Sequence, residues 1–179
     1  MVKSILIALG VMVVVLVVVA ALRPAEYRVE RSATVAAPPA VVFAQVNDLH
    51  KFQAWSPWAK LDPAAKSTFE GPSAGTGAVF VWAGNSKIGA GRMTIIESRP
   101  EEMIRMRLDF LKPLAGTSTA EFSFKPAGDQ TAVIWSMAGR HNFAGKAIGL
   151  FMSMDKMIGG MFEQGLASLN AVSQTAARK

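Results

Sequence analysis

The sequence predicts an α+β fold in which a curved antiparallel sheet wraps around a long C-terminal helix, preceded by one N-terminal transmembrane helix. Three observations predict it: an unbroken apolar run from Ile5 to Leu22, period-two alternation through the middle of the chain, and a switch to helical spacing near its end.

The apolar run reads ILIALGVMVVVLVVVAAL and carries no charge; its one glycine is Gly10. At about 1.5 Å per residue a helix of this length matches the hydrocarbon core of a bilayer. Valine-rich sequence forms strands in water, but in lipid the backbone must satisfy its own hydrogen bonds, which selects a helix. Lys3 and Arg23 bracket the run. A cleaved signal peptide is the competing reading, with Lys3 as its n-region and Val19-Ala20-Ala21 as its cleavage site. The apolar stretch exceeds the about 7–15 residues usual for such a segment, so a retained single-pass anchor over residues 1–23 is expected. Lys3 pulls one flank inward while Arg23, Arg28 and Arg31 pull the other, and a signal-anchor with a short basic N-terminus exports the domain behind it. The expected location of the domain is the exported side, periplasmic or extracellular.

Residues 24–179 are enough for one domain with a substantial core and short for two. Tyr27, Val29, Arg31, Ala33 and Val35 alternate as a first strand, and Pro38-Pro39 ends it. Pro39 then opens a helical stretch through VVFAQVNDLHKF, broken near Asn47-Asp48 and closed by the turn Trp55-Ser56-Pro57-Trp58. From Ser67 onward the chain reads as about six antiparallel strands. The clearest runs from Met103 to Phe110, where Ile104, Met106, Leu108 and Phe110 alternate with Arg105, Arg107 and Asp109. The same rhythm marks Ala78, Phe80, Trp82; Gly91, Met93, Ile95; Ala120, Phe122, Phe124; and Val133, Trp135, Met137, with turns at Gly84-Asn85, Arg99-Pro100 and Gly128-Asp129.

From about Ala144 to Ala171 the period changes, with Phe151, Met154, Ile158, Phe162, Gly165 and Leu169 on one face of a continuous helix. Gly159, Gly160 and Gly165 weaken a helix by about 1 kcal/mol each relative to alanine, so close contact or a bend is expected there. This helix is the only segment long enough to cover the apolar face of the sheet.

The net charge is +6, falling to +4 once Lys3 and Arg23 are set aside. The basic residues are scattered, with no run of four or more, so there is no nucleic-acid or polybasic lipid stripe in the sequence. The absence of cysteine excludes disulfides, thiolate metal sites and a cysteine nucleophile. Metal binding needs three or four ligands and none cluster around His50 or His141, so no metal and no cofactor is expected, and both histidines suit cap or solvated loop roles. No phosphate-binding loop is present, and the glycines from Gly71 to Gly91 fall in turns and strands, where they permit curvature.

Several motifs carry a resemblance: Trp55-Ser56-Pro57-Trp58; Glu70-Gly71-Pro72 and then Gly75-Thr76-Gly77-Ala78; Trp82-x-Gly84-Asn85; Gly89-x-Gly91-x-Met93; and Met157-Ile158-Gly159-x-x-Phe162-Glu163-x-Gly165-Leu166-x-x-Leu169. In these the chain resembles the START and polyketide-cyclase superfamily (SRPBCC), over about Tyr27 to Val172. The resemblance implies a helix-grip domain over residues 24–179 and a deep apolar cavity between sheet and last helix. The superfamily mixes lipid carriers, receptors and cyclases, so membership leaves the chemistry open.

The candidate cavity residues are Phe80, Trp82, Met93, Ile95, Met106, Leu108, Phe122, Phe124, Trp135 and Met137 on the inward faces, opposed by Met154, Ile158 and Phe162. Each could equally fill the core; as a group they suit a cavity, since ten methionines can mould to varied apolar ligands. Trp55 and Trp58 join them as large aromatics in a loop, serving as a lid, a membrane contact or a core-edge cap. Arg92, Arg105 and Arg107 are expected on the wet face, and neither Glu97 nor Asp109 has a partner carboxylate for acid–base work. The expected function is membrane-tethered binding of a hydrophobic small molecule or lipid. The alternatives are a cyclase- or dehydratase-like enzyme acting on an apolar substrate, for which no catalytic residue is assigned, and a protein-interaction module at the membrane.

Overall fold

The structure is a computed structural model describing residues 2–150 and 153–178. Helix α1 (Val2–Leu22) precedes β1 (Glu26–Val35), α2 (Pro39–Asn47), α3 (Leu49–Trp55) and a 3-10 turn (Pro57–Lys60). Next come strands β2 (Lys66–Glu70), β3 (Val79–Ala83), β4 (Ala90–Arg99), β5 (Met103–Lys112), β6 (Gly116–Ala127) and β7 (Gln130–Arg140), then α4 (Phe143–Ile148) and α5 (Met154–Ala177). The seven strands form one antiparallel sheet in the order β1-β7-β6-β5-β4-β3-β2. This is the α+β helix-grip arrangement, with α5 packed on the sheet's inner face.

Register shifts at Ala90/Gly91 and Ile95/Glu97 interrupt the β4–β5 ladder. An extra residue on one strand bends it and increases local twist, so these irregularities curl the sheet. Outside the curve, ion pairs hold the wet face: Arg105 bridges Glu97 at 2.6 Å and Glu121 at 2.8 Å, and Arg92 meets Glu70 at 2.9 Å.

The helical stretch after Pro39 breaks where expected, because Asp48 turns out of the helix and caps the next one. Its Oδ1 accepts from the His50 N–H at 2.9 Å and the Lys51 N–H at 3.3 Å.

Two sequence expectations need correction. The C-terminal helix is not continuous from Ala144: α4 ends at Ile148, and α5 restarts at Met154 behind a Ser153 cap whose Oγ accepts from the Lys156 N–H. Phe151 lies outside the described residues. Trp55 is not a loop residue but the end of α3, 1% exposed, its indole N–H donating to the Gln45 carbonyl at 3.0 Å. That bond lets the indole be buried without stranding its polar atom, so Trp55 belongs to the core.

The glycines of α5 admit side chains. The Arg31 guanidinium crosses the helix at Gly159, and the Trp135 ring sits against Gly165. Helix α1 is exposed along its length except at Ala20, and among the described residues it is the one helix long and apolar enough to cross a membrane.

Candidate functional site

Between the inner face of the sheet and α5 lies a cavity of about 1230 Å³, opening beside α4 and the β5–β6 hairpin. Strand alternation supplies its wall: Phe80 and Trp82 from β3, Met93 from β4, Met106 and Leu108 from β5, Phe122 from β6, Trp135 and Met137 from β7. Met154, Ile158 and Phe162 of α5 face them, and Trp58 closes one side. The other three sequence candidates do not line it. Ile95, Phe124 and Trp55 are buried in the packed part of the core.

Aromatic stacking holds one wall in place. Trp135 stacks on Phe162 at 4.0 Å and on Phe122 at 4.6 Å, with Trp58 edge-on at 5.7 Å. Such pairs fix ring orientation as well as burying area. On β3, Trp82 faces its register partner Gly91, where an added Cβ would stand 2.5 Å from the ring, and its indole N–H donates to the Ile88 carbonyl. Glycine at 91 is therefore what lets the indole lie flat along the wall.

The polar lining is sparse inside and basic at the rim. Arg23, Lys87, Lys112 and Arg140 line the opening, and Asp62 is the one carboxylate among the described lining residues. Asp62 is engaged by the backbone N–H of Asn85 at 2.7 Å. Glu97 and Asp109 lie outside the cavity in ion pairs with Arg105 and Arg107. Leu114, Ile148 and Met157 also line the cavity and are exposed.

Sequence reading did not single out Tyr27, Ser118 and His141 as cavity residues. Tyr27 Oη and Ser118 Oγ are 2.7 Å apart, and the His141 ring stacks on Tyr27 at 4.5 Å. Burial holds the His141 imidazole below the usual histidine range, so it is neutral at pH 7. His50, by contrast, stacks on Phe69 and lies outside the cavity. No group of three or more His, Cys, Asp or Glu able to hold a metal occurs among the described residues.

The end of α1 reaches this opening. The Arg23 guanidinium donates to the Gly149 carbonyl, Lys146 Nζ to the Ala21 carbonyl at 3.2 Å, and the His141 N–H to the Ala25 carbonyl at 2.7 Å.

A family model described as polyketide cyclase / dehydrase and lipid transport matches residues 26–174. The chain belongs to this family. Among solved structures, a Thermobifida fusca protein determined in solution is 23% identical, with a TM-score of 0.62 over 82% of this chain and 92% of that one. The di-domain aromatase/cyclase StfQ of the steffimycin biosynthetic pathway aligns at 12% identity and a TM-score of 0.62, over 87% of this chain and 53% of StfQ. Ara h 8.0201 aligns at 13% identity and a TM-score of 0.59, over 84% of this chain and 99% of its own. At these identities the likeness concerns the fold. No curated protein matches.

Proposed function

We propose that this member of the polyketide cyclase / dehydrase and lipid transport family is a binding module that holds a hydrophobic small molecule or lipid in the sheet–α5 cavity, tethered to a membrane by α1. The observation that carries this reading is the roughly 1230 Å³ cavity walled by aromatic and methionine side chains, the size and lining of a site for a large apolar ligand.

Binding is favoured over catalysis by a carboxylate pair because the one carboxylate among the described lining residues, Asp62, is tied to backbone N–H groups. Such catalysis needs a positioned group whose proton affinity suits its task, often a second carboxylate with a contrasting environment.

The tether reading draws on the exposed apolar surface of α1, which residues 1–23 would bury in lipid, leaving 24–179 as the binding domain. The bonds from Arg23, Lys146 and His141 join the end of that helix to the cavity opening, so a ligand could pass between bilayer and cavity over a short path. The basic rim with Leu114, Ile148 and Met157 suits contact with anionic headgroups. The short basic N-terminus favours an exported location for the domain.

Native mass spectrometry of the full chain released from purified membranes tests both halves. Intact mass including residues 2–22 and co-purified apolar ligand are expected. A chain trimmed after α1 would overturn the anchor, and a consistently empty cavity that takes up no added lipid would overturn the binding function.

A further inference from the structure

Three neighbouring strands place Tyr27, Gly139 and Ser118 in one row, since Gly139 of β7 is the register partner of both Tyr27 on β1 and Ser118 on β6. With no side chain at Gly139, the Tyr27 phenol reaches across β7 to Ser118. An added Cβ there would stand 2.8 Å from Tyr27 Oη and 2.9 Å from Ser118 Oγ. Tyr27 is the only tyrosine in the chain, and Ser118 is 5% exposed on an otherwise apolar wall.

Each hydroxyl carries one proton, and the 2.7 Å contact uses one of the two. Whichever oxygen donates, one O–H is left over, and neither oxygen has another side-chain or backbone partner among the described residues. Both residues line the cavity. A spare donor at the edge of an apolar chamber stays satisfied only if something there accepts from it, because an unmet buried hydroxyl is costly. His141, which stacks on Tyr27, is neutral, so the imidazole adds no charge to the hydroxyl pair.

We infer that the Tyr27–Ser118 pair is the polar recognition point of the cavity, donating to one neutral oxygen, a carbonyl above all, of an otherwise apolar ligand. This rests on the binding function proposed above. The ligand's oxygen sits near the opening, at the end of the sheet where β1 leaves α1, and its hydrocarbon runs inward toward Met106, Phe122 and Trp135. The class is a carbonyl-bearing hydrophobe; a plain hydrocarbon would leave the spare O–H unmet.

The test compares 1-acetylpyrene with 1-ethylpyrene, which differ by a carbonyl in place of a methylene. Binding to the full chain in phosphatidylcholine nanodiscs is measured by quenching of Trp58, Trp82 and Trp135 emission, with empty nanodiscs correcting for partition. Wild type is expected to bind the ketone about fivefold more tightly, the net worth of one neutral hydrogen bond. The double variant Tyr27→Phe/Ser118→Ala should bring the two to parity by weakening only the ketone. Gly139→Ala, which keeps both hydroxyls but displaces them, should do the same. Parity in wild type, or a preference that survives the double variant, overturns the recognition point while leaving the cavity intact. Failure of both probes to bind overturns the binding function with it.

Discussion

Arg31 lays its guanidinium across α5 at Gly159, where an added Cβ would clash with its Nη2 and Cζ. From there Nε donates to Glu163 at 2.7 Å and Nη1 to Asp155 at 2.9 Å, clamping the helix to β1. Gly159→Ala and Gly160→Ala should therefore behave differently although the residues are adjacent. At Gly160 nothing lies within 4 Å of an added Cβ, so alanine should stabilise by about 0.5–1 kcal/mol, read as a Tm rise of about 1–4 °C. At Gly159 the same propensity gain is offset by displacement of the guanidinium from both carboxylates. Thermal unfolding of the two variants side by side should show the rise only for Gly160→Ala.

The clamp also sets a pH dependence. The hydrogen bond from Arg31 holds the Asp155 carboxyl below the usual carboxylate range. A depressed folded-state pKa gives stability that is fully present above the unfolded value of about 4 and is lost as pH falls through the folded value. Asp155→Asn should thus flatten the acid limb of Tm against pH below about 4, and Gly159→Ala should reproduce part of that flattening. An unchanged acid limb in both variants would show that the clamp contributes nothing in solution.

His141 works in a different window. Burial lowers its pKa, so below about 6.5 the unfolded chain takes up a proton that the folded chain refuses. Stability is therefore lost as pH falls from about 6.5 toward the folded value. His141→Gln should remove this loss, making Tm level between about pH 7 and pH 5 where wild type declines.

Much of the wall was legible because strands bury one face at period two. Met106 and Leu108, spaced between Arg105, Arg107 and Asp109, could point only one way. Position along a strand was not legible: Ile95 and Phe124 share the inward face with the cavity residues but lie in the packed core. The α4–α5 break was hidden because apolar residues recur at helical spacing on both sides of it. The signals that mark it, the caps Asn142 and Ser153, are common residues whose role depends on the backbone around them. The Tyr27–Ser118 pair spans 91 positions and depends on the registers of β1, β7 and β6, so no local pattern carries it.

Gly165 gives the sharpest test of how the cavity is held. An added Cβ would stand 2.6 Å from Trp135 Cζ3 and 3.3 Å from Pro57 Cδ. Unlike the Arg31 guanidinium, the Trp135 indole cannot swing away, because Phe162 and Phe122 stack on it and Trp55 and Trp58 approach edge-on. Forcing a methyl into such packing costs about 1–3 kcal/mol, more than the roughly 1 kcal/mol that alanine returns in helix propensity. Gly165→Ala should therefore lower Tm where Gly160→Ala raises it. Because Trp135 and Phe162 form cavity wall, the same substitution should also shift the tryptophan emission and weaken 1-ethylpyrene binding, a loss that no surface change on α5 would produce. A Gly165→Ala variant as stable as wild type, binding the probe unchanged, would show that α5 can slide on the sheet and that the Trp135–Phe162 stack does not hold the chamber open.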